Sequence, residues 1–278
     1  MIALFLAAIP CVLAPADSAD LCKDTATESL EKVTVPGVTI GMRGAGTASA
    51  TRAPWVNSNG FRFLLKPDGR FLYEVPKGKA ALAAAEAFAF GVDARLRTAP
   101  EDAKPLADML AFLKKVPDAP GLKPASNIAV IDTGSKALLE VVNLMVRRNL
   151  LCRIVPAPDP KADLNVRIGS PEFPEAEAAN PVAVADKARQ MLTDKKRLLR
   201  IYGTETMIGR LYTGAGVARL HLLNYGSNSI AGIRVRVRGP YKTAASFEGP
   251  KLEDVTTLND AIEFTVFEMG PYAVVDLK

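Results

Sequence analysis

The chain has 278 residues, 49% of them hydrophobic and 23% charged, which excludes a disordered or fibrous protein and leaves room for two domains with their own cores. The net charge of +5 is densest at "DKKRLLR" and "RVRVR". Strand alternation sets Arg234, Arg236 and Arg238 on one side, the pattern of a solvated sheet face, so no nucleic-acid partner is expected.

Residues 1–19 read as a signal peptide, an apolar run too short for a stable span followed by small residues around "APA" and "DSA". No later segment is apolar for long enough to cross a bilayer. A secreted or periplasmic protein is therefore expected, with no membrane partner once the signal is removed. Cys11 falls inside the signal. Cys22 and Cys152 are 130 positions apart, and either a disulfide or two independent thiols fits. With one histidine, His221, and no metal-ligand spacing among the cysteines, neither zinc nor another cofactor is expected.

Residues 20–117 form an α+β segment. It opens irregularly, rich in Thr, Gly and Ala from 23 to 53. "FRFLLKPDGRFLYEV" then places two apolar-aromatic runs around "KPDG", which predicts a β-hairpin. "KGKAALAAAEAFAFG" predicts a helix stopped by Gly91, "VDARLRT" a short strand, and "PEDAKPLADMLAFLKKV" a second helix with Pro and acids first and Lys last. "PDAPGLKP" reads as a linker. Between 125 and 203, "NIAVID", "SKALLEVVNLMVRRN", "LLCRIV" and "LNVRIG" give strand, helix, strand, strand, the signature of a parallel sheet. "NPVAVADKARQML" follows as a helix with Asn180 as N-cap and Pro181 in its first turn. From "RLLRIYG" onward only short strands separated by Gly, Asn and Pro occur, so 204–278 is expected to be an antiparallel β-sandwich.

Three places carry candidate chemistry. "VIDTGS" presents Asp132 as an aspartic protease would, yet a long helix follows at once and no second Asp-Thr-Gly or Asp-Ser-Gly occurs; only a dimeric protease would remain. "MIGR" at 207–210 faintly resembles an element of retropepsins. A βα turn with Ser135 capping the helix explains the same residues. "APWVNSNGFRF" gathers the single tryptophan, Trp55, with Asn57, Asn59 and Arg62, an aromatic face beside amides that would suit a sugar ring. His221 alternates with leucines as a strand-face residue would. Glu86, among Ala and Phe, is the acid expected to be partly buried, but glycoside hydrolysis needs two carboxylates and no partner is evident.

The order of parts resembles the beta-galactosidases and related glycoside hydrolases. "KAALAAAEAFAFGVDARLRT" is similar to the last helix and strand of their barrel. The stretch from "NIAVID" to "RIYG" resembles their trimerisation domain, which has a flavodoxin or glutamine amidotransferase-like fold without the catalytic cysteine. "ARLHLLNYGSNSIAGIRVRVRG" with "EMGPYAVVDL" is similar to their C-terminal β-sandwich. The resemblance covers residues 54–278. Roughly 100 residues before the linker cannot make a complete eight-fold barrel of about 250 residues, so no catalytic residue carries over. The resemblance implies a shortened, non-catalytic relative with a carbohydrate-associated accessory or assembly role. It also implies a carbohydrate partner and a homo-oligomer formed through the α/β domain. An active glycoside hydrolase using Glu86 and a dimeric aspartic protease using Asp132 are the rivals.

Overall fold

The computed structural model describes residues 30–39 and 55–278. The signal peptide, Cys11, Cys22 and most of the irregular stretch at 23–53 lie outside the described residues. The chain divides into two compact units. One holds the described residues up to Asn59 together with Lys66–Pro120, and the other holds Gly60–Leu65 together with Gly121–Lys278.

The first unit is built on three parallel strands, β1 (Glu31–Val33), β4 (Arg70–Val75) and β5 (Asp93–Thr98), in the order β1-β4-β5. A short antiparallel pair, β2 (Gly37–Thr39) and β3 (Trp55–Asn57), lies between β1 and β4 in sequence. Helix α2 (Ala80–Phe90) connects β4 to β5, and α3 (Ala103–Lys115) follows β5 after a single 3-10 turn. In α2 every residue except Ala81 and Phe88 is buried. That all-round burial explains its run of alanines, because a helix with no solvated face needs small side chains to let its neighbours approach. Gly91 ends it at φ 68, and the N–H groups of Gly91 and Val92 return to the carbonyls of Phe88 and Ala87. This is a Schellman ending, which only a residue free to adopt positive φ closes without strain.

The hairpin expected at 61–75 does not form. Residues Gly60–Leu65 are a helix, α1, which packs against elements of the second unit, and only Arg70–Val75 is a strand. The turn itself is present, with Gly69 N–H donating to Lys66 O at 2.9 Å. Gly69 is needed there because a Cβ would crowd the Phe71 ring and Lys66 O, and its φ is not positive. Pairing explains the error: β4 finds both partners far along the chain, in β1 and β5, and burial between them outweighs the local preference of an aromatic run for its sequence neighbour.

The second unit begins with β6 (Lys123–Pro124) and then a parallel sheet in the order β8-β7-β9, from β7 (Ile128–Ile131), β8 (Cys152–Val155) and β9 (Leu164–Val166). Helix α4 (Leu138–Arg147) makes the β7-to-β8 crossover, and all four residues of β7 are buried, as a central parallel strand requires. After β9 come a short α5 (Glu175–Ala178) and α6 (Pro181–Lys196), which starts with Pro181 behind the Asn180 side chain, an acceptor for the Ala183 N–H at 3.5 Å. The eight strands that follow, together with β6, form two antiparallel sheets. One contains β10 (Leu199–Tyr202), β13 (Ile230–Arg238), β16 (Ala261–Met269) and β15 (Leu252–Thr257) in that order. The other runs β14 (Ala244–Ser246), β17 (Tyr272–Leu277), β12 (Val217–Asn224), β11 (Met207–Gly214) and β6.

The two antiparallel sheets share one hydrophobic cluster. Leu211, Leu220, Leu222 and Val275 from one sheet meet Val235, Val237, Ile262, Phe264 and Val266 from the other. Each such side chain contributes about 1.5–3 kcal/mol on burial. Leu199, on β10, belongs to the same cluster and lies so close to β11 that a Cβ on Gly209 would overlap it. That contact accounts for the glycine of "MIGR". The parallel layer is tied to these sheets by Asn149, held at φ 54 just past α4. Its side chain donates to Met207 O at 3.1 Å and accepts from Gly209 N–H at 2.7 Å. The architecture is thus α/β with parallel strands followed by all-β with antiparallel strands.

Candidate functional site

The stretch around Trp55 sits in the first unit beside Glu86, and the structure treats its members differently. Trp55 and Asn57 are half-buried on β3. Asn59 is fully buried, at 0% exposure. Its amide nitrogen donates to Thr34 O at 2.9 Å and to Glu86 Oε2 at 2.8 Å, while its Oδ1 accepts from the Thr34 N–H and hydroxyl. Arg62 lies on α1 with its guanidinium 4.9 Å from the Phe61 ring, in the other unit. The four residues nominated from the sequence therefore divide into two that reach the surface of the first unit, one spent inside it, and one outside it.

Glu86 is the centre of that interior. It is 0% exposed on α2. Its Oε1 accepts from the Ser58 hydroxyl at 3.1 Å and the Asn59 N–H at 2.8 Å; its Oε2 accepts from Asn59 Nδ2 at 2.8 Å and the Tyr73 hydroxyl at 2.6 Å. A carboxylate offers about four lone-pair positions. All are occupied, so none is left to attack an anomeric carbon or to serve a leaving-group oxygen. The group instead joins the β3 loop, β4 and α2, and through Asn59 the end of β1. Ser58 and Tyr73, which meet Glu86, and Thr34, which meets Asn59, carry no sequence signal for this role, because these contacts form only once the parallel sheet is assembled.

Asp102 is the other buried acid of this unit, 3% exposed just after β5. Its carboxylate accepts from the backbone N–H groups of Gly78 at 2.7 Å and of Lys79 and Ala80 at 3.2 Å, so it caps α2 from outside the helix. The cap lies where the chain leaves β4, at the C-terminal edge of a parallel sheet, the edge at which such sheets present ligand sites. Here the open N–H groups at the start of α2, which could hold an anion, are satisfied by the chain's own carboxylate.

Asp132 follows β7 directly, its N–H donating to Val155 O at 2.9 Å in the parallel ladder and its side chain accepting from Gly134 N–H at 2.9 Å. Ser135 accepts from the Ala137 N–H at 3.2 Å and donates to Glu175 at 2.8 Å, and α4 begins three residues on. This is a βα turn. It lacks the continuing β-structure on which an aspartic protease carries its acid. His221 lies on β12 at 5% exposure, with Nδ1 2.5 Å from the Tyr272 hydroxyl and the Tyr212 ring packed edge-on. Burial, with smaller contributions from Arg219 and Arg210, pushes its pKa down to about 3. Burial likewise holds the Tyr272 phenol well above its ordinary value. Neither group is poised for proton transfer near neutral pH. Cys152 is free and 1% exposed, its thiol pushed up to about 12 by burial. Among the described residues no group of three or more His, Cys, Asp or Glu side chains could hold a metal ion, and no helix is long and apolar enough to cross a membrane.

The Arg234, Arg236 and Arg238 face of β13 is laced with carboxylates. Arg234 meets Glu263 at 3.2 Å, Arg236 meets Asp260 at 2.9 Å, and Arg238 meets Asp163 at 3.5 Å.

No family model matches the chain, and no curated protein matches it. Among solved structures the chain is similar to alpha-L-fucosidase isoenzyme 2 from Paenibacillus thiaminolyticus, with 9% identity and a TM-score of 0.50. That match covers 76% of this chain and 60% of the fucosidase. An alpha-amylase from Geobacillus thermoleovorans, at 12% identity, covers 79% of this chain and 56% of its own, with a TM-score of 0.19 that supports no argument. At such identities the fucosidase likeness is one of fold, and the chain spans less than two thirds of that neighbour's length.

Proposed function

We propose that the protein is a non-catalytic relative of the glycoside hydrolases with a carbohydrate-associated accessory or assembly role. The observation that carries this reading is the fold likeness to a fucosidase over 76% of the chain, taken with the commitment of Glu86 and Asp102 to internal donors. In the finer reading, β1, β4 and β5 with α2 and α3 correspond to the end of a (β/α)8 barrel of beta-galactosidase type. The β8-β7-β9 layer corresponds to a glutamine amidotransferase-like assembly domain, and the two antiparallel sheets to a C-terminal β-sandwich. Export through the N-terminal signal and self-association through the α/β layer belong to the same proposal.

Sugar contact in the first unit falls to Trp55 and Asn57, since Asn59 and Arg62 are placed elsewhere. Both residues are partly exposed on β3, and an indole with an amide beside it is the residue pair that stacks on sugar rings and bonds their hydroxyls. The test is a panel of insoluble and soluble polysaccharides scored for retention of the mature protein, repeated with Trp55→Ala. Retention that Trp55→Ala abolishes without a change in melting supports the reading, and retention unaffected by it sinks the site assignment. The rival active-hydrolase reading requires release of reducing ends that Glu86→Gln stops, and the protease reading requires acid-pH peptide cleavage that Asp132→Asn stops.

A further inference from the structure

We propose that the second unit binds the oxyanion of an acidic polysaccharide, a sulfate or a carboxylate, at a cluster of arginines where α6 gives way to β10. The proposal rests on the carbohydrate reading above and adds to it the charge of the glycan and a second place for it.

The cluster is made by a break in the helix. Thr193 stands at φ 62 and ψ 155 inside α6, a strained setting for a β-branched residue, and Asp194 leaves the helical path there. Three guanidiniums share its carboxylate: Arg200 at 3.1 Å, Arg197 at 3.4 Å and Arg189 at 3.8 Å. A fourth, on Arg148 at the end of α4, pairs with Asp186 at 3.0 Å, and Arg197 Nη2 donates to the Arg148 carbonyl at 2.9 Å. Four arginines thus meet two aspartates. The excess positive charge is partly withdrawn from water, most of all on Arg197, with 9% of its side chain exposed.

Donors are in excess as well. Arg148, Arg197 and Arg200 each keep a buried N–H without an acceptor in the protein. Burial, and then the nearby guanidinium of Arg189, hold both Arg148 and Arg197 below the ordinary arginine value. A guanidinium does not shed its proton near neutral pH, so a further anion is what relieves this crowding. The approach is from solvent, where Arg189 has 48% of its side chain exposed and Arg200 has 23%. Arg200 lies 4.7 Å from the Tyr202 ring, a stacking that occupies its face and leaves its edge to oxyanions. A neutral sugar draws little from such a cluster, whereas a sulfate or a uronate supplies negative charge and several acceptors at once. The neighbouring Arg234, Arg236 and Arg238 are paired with carboxylates, so the β13 face does not prolong the excess into the basic track that a nucleic-acid backbone engages.

The experiment is calorimetric titration of the protein with dextran sulfate and with polygalacturonate, alongside neutral dextran and a DNA duplex. It is repeated on the double variant Arg189→Gln/Arg200→Gln, on Asp194→Asn and, for loss of the same charge elsewhere, on Lys77→Gln/Lys114→Gln, each with a thermal melt; Arg197 is left intact because it is buried. An acidic polymer should bind wild type more tightly than dextran does, about tenfold more weakly in the arginine variant, more tightly in Asp194→Asn, where the competing carboxylate is gone, and equally in the lysine variant. Which of the two acidic polymers binds distinguishes sulfate from carboxylate. Equal weakening in the lysine variant, or affinity retained by an arginine variant of unaltered melting, would overturn the cluster as the site, and DNA bound through these arginines in preference to either polymer would overturn the glycan. In each of those cases polysaccharide retention lost in Trp55→Ala would leave the carbohydrate reading standing. No binding by wild type to any polysaccharide, acidic or neutral, would overturn both.

Discussion

The two units bury their interiors by different chemistry. In the second, the antiparallel sheets meet through Leu, Val, Ile and Phe side chains, and stability there scales with apolar area. In the first, α2 carries mostly alanines and places a carboxylate at 0% exposure among four donors. An apolar core tolerates exchange of one aliphatic for another. A polar knot does not, because each donor left behind is an uncompensated buried group. What could be read as a catalytic acid is thus better understood as the fastening of three strands and a helix.

The largest effect should come from Phe264→Ala, fully buried between the sheets, which is expected to cost about 3–5 kcal/mol through lost transfer energy and the cavity left behind. Chemical denaturation followed by circular dichroism checks it. Glu86→Ala should cost about 2–4 kcal/mol, and Glu86→Gln nearly as much, since an NH2 replacing either oxygen faces donors. If Glu86→Leu proved as stable as wild type, the knot would contribute no net stability and the contrast between the units would fail.

His221 gives the second unit a pH signature. Its folded pKa, about 3, is below the unfolded value of about 6.5, so the unfolded chain takes up the proton first as pH falls. The contribution is complete above about pH 6.5 and is lost between there and pH 3, at up to about 1.4 kcal/mol per pH unit. His221→Gln should flatten that slope between pH 6.5 and 5; an unchanged slope would assign the acid sensitivity elsewhere. Asp102→Ala should cost about 1–2 kcal/mol, because three N–H groups at the start of α2 lose their acceptor. Smallest in energy is Cys152, whose thiol should resist alkylation in the native state and react fully in denaturant, read by mass spectrometry of its peptide. Native labelling would contradict its burial.

Local patterns were legible where the partner was near in sequence. The α2 stop at Gly91, the Asn180 cap of α6 and the run of strands after Arg197 follow from residues within a few positions of each other. The hairpin at 61–75 was misread because β4 pairs with strands at residues 31–33 and 93–98. The burial of Glu86 could be expected from its Ala and Phe neighbours, but its donors come from residues 58, 59 and 73, and no periodicity links them. Asn59 illustrates the limit most clearly. Beside Trp55 it resembled a sugar-binding amide, whereas in the fold its amide is spent on Thr34 and Glu86.

The most direct test of a structural Glu86 is turnover of a panel of aryl glycosides by wild type and Glu86→Gln, with a thermal melt on the same samples. The expected result is no release by either protein and a lower melting temperature for the variant. Release by wild type that vanishes in a Glu86→Gln protein of unchanged melting temperature would show that the carboxylate is catalytic and that the account is wrong.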